Sequence, residues 1–302
     1  MNAEPSHLWW DGRLVPWNEA TTHVANIQWA ALGSVFEGLR AYYNQEQKKT
    51  YLFGLDPHLE RLRLSMRVMG MKGPPTDVVR EAVTSTLRKV DLRADTYVRI
   101  FAWFDNGNVY TLEQPTHMFI IAAPMPSELD RPVEWSANVS TWHQLDERTM
   151  PPRVKAVANY HKSRLAGVEA ERLGFDFPIL LNLRGEVSEG PRESLFLVRG
   201  GMLITPELSS GILDSITRRT VLLLARELGV VCQERAVQRS ELYEADEMFA
   251  CGTKSEIVPV ISADGLSVGQ GGVGPVTRKL RQLYRQVVYG EVPLCNDMRT
   301  VI

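Results

Sequence analysis

The chain has 302 residues, more than one ordinary core organises and enough for two domains of about 150 residues each. Its 44% hydrophobic and 23% charged content is that of a globular protein, and 34 basic against 36 acidic residues leave a net charge of −2, which argues against a nucleic-acid surface or an anionic membrane as partner. No apolar run approaches the ~20 residues of a membrane span, the start Met1-Asn2-Ala3-Glu4-Pro5 is not a signal peptide, and Cys232, Cys251 and Cys295 form neither a disulfide framework nor a metal cluster. Free thiols in a reducing cytoplasm, and no metal, are the expectation.

Leu8-Trp9-Trp10 and Arg13-Leu14-Val15 flank Asp11-Gly12, a hairpin signal. Asp56-Pro57 reads as N-cap and first helical residue, with Leu59, Leu62 and Met66 as the apolar stripe up to Gly70. A second helix is predicted from about Asp77 to Val90, with Val79, Val83 and Leu87 on one face. Tyr97 to Phe104 and Met118 to Ala122 are strands of a covered sheet. Residues 126–133 are polar and proline-bearing, the best linker between a domain at 1–125 and another at 134–302. Beyond it the pattern predicts a strand near Val133–Trp142 and a helix from Asn159 to Gly174. Short strands follow at Pro178–Leu183, Leu195–Arg199 and Met202–Thr205, then an amphipathic helix from Ile216 to Leu228 stopped by Gly229. Strands at Val230–Ala236, Glu247–Ala250 and Ile257–Ile261 and a basic helix from Gly274 to Tyr289 complete the chain. The elements mix without strict βα alternation, which excludes a Rossmann fold.

No Walker loop, HExxH or G-x-S-x-G occurs, so the chemistry has to come from other segments. Five stand out in order: Gly33-Ser34-Val35-Phe36-Glu37-Gly38-Leu39-Arg40 with His58-Leu59-Glu60-Arg61-Leu62; Lys155-Ala156-Val157-Ala158-Asn159-Tyr160; Ser188-Glu189-Gly190-Pro191-Arg192-Glu193-Ser194-Leu195-Phe196; Gly211-Ile212-Leu213-Asp214-Ser215-Ile216-Thr217-Arg218; and Cys251-Gly252-Thr253-Lys254-Ser255-Glu256-Ile257. In order and spacing these resemble the class IV aminotransferases, above all the branched-chain aminotransferases of the pyridoxal-phosphate (PLP) fold type IV. The resemblance runs from Trp10-Asp11-Gly12 to Gly274-Pro275-Val276-Thr277.

The resemblance implies an α+β protein, a small α+β domain plus a larger β-rich domain with flanking helices, that binds pyridoxal 5′-phosphate and works as a homodimer. It implies transfer of the amino group of branched-chain or other apolar L-amino acids to 2-oxoglutarate, with Lys155 as Schiff-base lysine and general acid/base. That role needs an amine that serves as nucleophile and then as base. By the same resemblance Tyr160 hydrogen-bonds the cofactor's phenolic oxygen and Glu189 pairs with the pyridine nitrogen, keeping it protonated so that the ring accepts electrons. Arg61 holds the phosphate, which a bidentate guanidinium suits. The amides of Ile216 and Thr217 at a helix start, together with Thr253, complete the phosphate site, and Leu213 packs on the ring. The amides at Thr253 and Lys254 meet the substrate carboxylate, while the direction of the Lys254 side chain stays open. Phe36, Arg40, Tyr97 and Arg99 line the substrate site. Arg99, in a strongly apolar strand, needs a partner, either the distal carboxylate of 2-oxoglutarate or a structural ion pair. His58 is either a supporting or a structural residue.

Departures from the family pattern fall at Ser194, where asparagine is usual, at Ser215, where glycine is usual, at Lys254, where alanine is common, and at Trp29-Ala30-Ala31-Leu32, where a His-Tyr pair is usual. Loss of that tyrosine predicts tolerance of larger apolar donors such as phenylalanine or methionine. A D-amino-acid or amine transaminase, an aminodeoxychorismate-type lyase, and a non-catalytic PLP-binding homologue are the competing readings. Lys155 and Glu189 together argue against the last.

Overall fold

The computed structural model describes residues 4–23, 33–104 and 116–302. Two compact units divide the chain: Met1–Pro126 with Val154–Ala158 and Gln286–Ile302, and Ser127–Arg153 with Asn159–Arg285. The boundaries expected from sequence are contiguous; these units are not. The first recruits a segment around Lys155 and the C-terminal residues, and the polar 126–133 stretch belongs from Ser127 onward to the second.

In chain order, β1 (His7–Trp10) and β2 (Arg13–Pro16) form the expected hairpin. Asp11 and Gly12 carry the positive φ values, 44° and 99°, that so tight a turn demands. β3 (Val35–Asn44) and β4 (Lys49–Phe53) follow, then α1 (Leu55–Val68), α2 (Thr76–Val90), β5 (Thr96–Phe104) and β6 (Thr116–Pro124). Helix α1 starts earlier than expected. Gly54, in the left-handed region, is its N-cap, and Asp56 lies inside the helix, where its carboxylate pairs with Arg80. Strands β3 and β4 were not foreseen.

The second unit contains β7 (Trp135–His143), α3 (His161–Leu173), β8 (Phe177–Leu181), β9 (Ser194–Arg199), β10 (Met202–Pro206), α4 (Ile216–Glu227), β11 (Cys232–Arg235), β12 (Glu247–Gly252), β13 (Glu256–Ala263) and β14 (Leu266–Ser267). The helix expected from Asn159 begins at His161, after a 3₁₀ turn over Val157–Tyr160, and Gly174 ends it in the left-handed conformation. Helix α5 (Pro275–Val288) and β15 (Arg299–Val301) close the chain.

The first unit's sheet has the order β15-β4-β3-β5-β6-β1-β2 and is antiparallel throughout. Helix α1 packs on β3, and α2 on β1 and β6. The side chains of Val35, Leu39, Val98, Ile100 and Ala102 point to that helical side and make the core with Leu59, Leu62, Val79 and Val83. The second sheet has the order β11-β10-β9-β12-β13-β7-β8 with β14 beside β13, and mixes antiparallel with parallel pairs. Two sheets with five helices among the described residues make the α+β class expected from sequence. No described helix is long and apolar enough to cross a membrane.

Candidate active site

The residues singled out from sequence fall into two groups, one in each unit. In the first unit, register decides which side chains share a face. Phe36 pairs with Phe101, Gly38 with Arg99 and Arg40 with Tyr97 across β3 and β5. With two-residue alternation, Phe36, Arg40, Tyr97 and Arg99 therefore stand on the sheet face opposite to the helical core. The face continues as an aromatic layer in which Phe36 stacks on Phe101 and Phe101 on Phe119, at centroid distances of 6.2 and 5.3 Å. Gly38 is required there, because any Cβ would overlap the Tyr97 phenol. Arg40 is fully buried and donates to the carbonyls of Met125 and Pro126 at 2.8 and 2.6 Å. Its guanidinium thus fixes the chain leaving β6.

Lys155 joins this unit through its backbone. Its amide donates to Ser65 Oγ of α1 at 3.0 Å, its carbonyl accepts from Phe36 N at 3.0 Å, and Ala156 bridges to Val35. The lysine is thereby held at the start of β3, and its Nζ lies 4.8 Å from the centroid of the Phe36 ring.

Arg61 is placed differently from the substrate-side residues. Glu37, the neighbour of Phe36, points to the helical side and is fully buried. It accepts from Arg61 Nε at 2.7 Å and Nη2 at 2.9 Å, and from His58 Nδ1 at 2.7 Å. Burial alone would raise the Glu37 carboxyl; the Arg61 guanidinium and the hydrogen bonds from Arg61 and His58 outweigh it and hold the group far below the usual carboxylate range. Burial pushes His58 down, which favours a neutral ring donating from Nδ1. In the sequence, Glu37 stands out only as part of a motif. Its spacing to His58 and Arg61, 21 and 24 residues, gave no signal of the cluster.

In the second unit Glu189 is buried at the end of a segment following β8. It accepts from Gln144 Nε2 at 2.5 Å and Leu213 N at 3.0 Å, with Lys162 Nζ 3.7 Å away. Gln144 and Lys162 were not foreseen from sequence. Burial pushes the Lys162 ammonium down against the pull of Glu189. Gly190 has no alternative, since a Cβ would strike the Phe177 ring. Ser194, the departure from asparagine, is buried without a hydrogen-bond partner for its hydroxyl among the described residues. Ser215 has a role of its own: it is the N-cap of α4 and accepts from Arg218 N at 3.2 Å. The amides of Ile216 and Thr217, both buried, open the helix, and its first turn holds no acidic residue. Arg218 is buried and bound to Thr205 Oγ, the Pro206 carbonyl and Glu234. Thr253 is half-buried and Lys254 exposed on the β12–β13 loop. Tyr160 is half-buried beside α3.

A pyridine with a phosphate arm fits this donor set. A buried carboxylate with lone pairs beyond its two close donors can accept from a ring N–H. A helix start whose first turn holds no acidic residue favours a phosphate. The Trp29-Ala30-Ala31-Leu32 departure lies outside the described residues.

A family model described as amino-transferase class IV matches residues 34–263. The chain belongs to this family, whose members use PLP, and the fold is that of the class. Among curated relatives, a probable branched-chain-amino-acid aminotransferase of Aquifex aeolicus is 35% identical over 290 residues, covering 93% of this chain and 92% of its own. Among solved structures, the branched-chain amino acid aminotransferase of Thermobaculum terrenum in PLP form is 42% identical with a TM-score of 0.96, over 99% of this chain and 98% of that one. The branched-chain aminotransferase of the archaeon Thermoproteus uzoniensis, with norvaline, is 36% identical with a TM-score of 0.91, over 98% and 99%.

Proposed function

We propose that this PLP-dependent aminotransferase takes branched-chain and other apolar L-amino acids as donors and 2-oxoglutarate as acceptor, with Lys155 as the cofactor lysine. The observation that carries the reading is the single sheet face bearing Phe36, Tyr97 and Arg99, with the Lys155 amine over Phe36. An aromatic face suits an apolar side chain, and the names and ligand of the relatives agree with it. PLP, when bound, supplies an electrophilic aldehyde carbon and an electron-accepting ring.

The chain's own groups divide the remaining work. The Lys155 amine, held through its backbone at Ser65 and Phe36, would be the nucleophile that holds the cofactor's aldehyde and the base that moves the substrate Cα proton. Glu189, oriented by Gln144 and the Leu213 amide, keeps the ring nitrogen protonated. Ile216, Thr217 and Thr253 bind phosphate at the α4 start and the β12–β13 loop, with Arg61 as a further phosphate contact and Tyr160 and Leu213 orienting the ring. The Thr253 and Lys254 amides bind the α-carboxylate. Arg99 takes the distal carboxylate of glutamate or 2-oxoglutarate.

Lys155→Ala is expected to abolish turnover of L-leucine with 2-oxoglutarate while leaving circular dichroism unchanged. Wild-type turnover would refute the assignment. Arg99→Ala is expected to weaken the glutamate half-reaction by ~1.5–3 kcal/mol in kcat/KM, the size of one hydrogen bond to a charged group. The leucine half-reaction should change far less; equal losses would make Arg99 structural.

A further inference from the structure

Glu256 is an unusual residue for its place. Gly252 pairs with Glu256 and Cys251 with Ile257, so Thr253, Lys254 and Ser255 form the loop that joins β12 to β13. Glu256 closes that loop with φ at +58°, in the left-handed region, and is completely buried. A glutamate there is strained relative to a glycine, and such strain persists where the surroundings over-determine it.

The surroundings do. The Glu256 carboxylate accepts from Ser127 Oγ at 2.9 and 3.0 Å and from the Glu128 amide at 2.7 Å. Ser127 Oγ in turn accepts from Leu129 N at 3.2 Å. The basic helix α5 grips the same short segment. Arg281 donates to the carbonyls of Glu128, Leu129 and Arg131 at 2.9, 3.0 and 3.0 Å, and Arg285 pairs with Asp130. Residues 127–131 are therefore a strap held by the Glu256 carboxylate and by the Arg281 and Arg285 guanidinium groups.

We propose that Glu256 is a positioning residue of the substrate site: through its hold on the 127–131 strap it fixes the loop whose Thr253 and Lys254 amides receive the substrate carboxylate. This rests on the reading of those two amides given above. The carboxylate touches no substrate. It converts a strained loop into a rigid pair of donors, so that binding does not have to order them.

Glu256→Gly separates the carboxylate from the backbone conformation, because glycine adopts the left-handed region without strain. We expect KM for L-leucine and for 4-methyl-2-oxopentanoate to rise about tenfold with kcat changed by less than about threefold, as for lost carboxylate binding. The calorimetric Kd for 4-methyl-2-oxopentanoate should rise in step, while the bound-cofactor absorbance stays as in the wild type and Tm within a few degrees of it. Glu256→Gln, which keeps one acceptor oxygen, should lie between Gly and wild type. Unchanged KM in Glu256→Gly, or a loss confined to kcat, cofactor and Tm, overturns the proposal. Lys254→Pro removes one amide donor and tests the underlying reading. If it leaves KM unchanged, that reading and the proposal both fail; if it raises KM while Glu256→Gly does not, the reading stands and the proposal alone falls. Should Glu256→Gly not fold, Ser127→Ala takes a donor from the same carboxylate. It is expected to raise KM about twofold, and an unchanged KM overturns the proposal.

Discussion

Two buried glutamates solve the same problem in opposite ways. Glu37, in the first unit, and Glu193, in the second, are both removed from water at 0% and 9% exposure. Glu37 receives a bidentate guanidinium and an imidazole, and its carboxyl is held far below the usual range in spite of burial. Glu193 has a backbone donor, the Arg192 amide at 3.0 Å, and burial pushes its carboxyl up against the pull of the Arg192 charge. Burial sets the direction for a carboxyl unless a cation stands within hydrogen-bonding reach. The first unit anchors α1 to β3 with charge; the second tolerates a carboxyl that burial makes harder to ionise.

The largest effect should come from taking the cation away. Arg61→Met leaves Glu37 buried without its guanidinium, and such a broken pair is destabilising by about 3–5 kcal/mol, read from denaturant unfolding at pH 7.5. The sign of the pH dependence should also reverse. In the wild type the Glu37 carboxyl is depressed, so its stabilisation is complete above the ordinary carboxylate range and is lost as pH falls through and below it. In Arg61→Met, burial is opposed by the His58 hydrogen bond but no longer by the guanidinium, and stability should rise as pH falls through that range. The double variant Glu37→Leu with Arg61→Met should recover much of the loss, since an apolar pair needs no compensation. A double variant as unstable as Arg61→Met would mean that shape, not charge, carries the cluster. His58→Leu removes one hydrogen bond to the charged carboxylate and should cost less, ~1.5–3 kcal/mol by the same unfolding measurement.

The Glu37 cluster also shows what the sequence could and could not disclose. Helices α1, α2 and α4 were legible because Leu59, Leu62 and Met66, or Val79, Val83 and Leu87, recur at helical spacing and are buried. Strand β3 was not, although it is central to its sheet. Glu37, Gly38 and Arg40 interrupt its apolar pattern, and they do so because one face meets a buried ion pair and the other a phenol and a pair of carbonyls. The residues that hide the strand are the ones the family motif picks out, so the motif was easier to read than the element bearing it. Motifs supplied Lys155, Glu189 and Thr217 but not their neighbours. Gln144 and Lys162 reach Glu189 from 45 and 27 residues away, and Glu256 reaches Ser127 across 129, pairings that only the folded backbone creates.

The smallest effect, and the sharpest test of the contrast, is at Glu193. Because its carboxyl is raised in the folded state, the folded chain holds the proton more tightly than the unfolded one. Wild-type stability should therefore include a contribution that is present below the ordinary carboxylate range and is lost as pH rises through the folded value. Glu193→Gln keeps the shape and has no proton to lose. At pH 4 the two proteins should melt together. At pH 8 the variant should melt higher by about 2–4 °C, the response to ~1 kcal/mol in a chain of this size. The same substitution at Glu37 should have the opposite sign, since glutamine cannot neutralise Arg61. A Tm difference at Glu193 that does not vary between pH 4 and pH 8 would mean that the two carboxyls do not differ in charge state, and the contrast between the units would be one of packing alone.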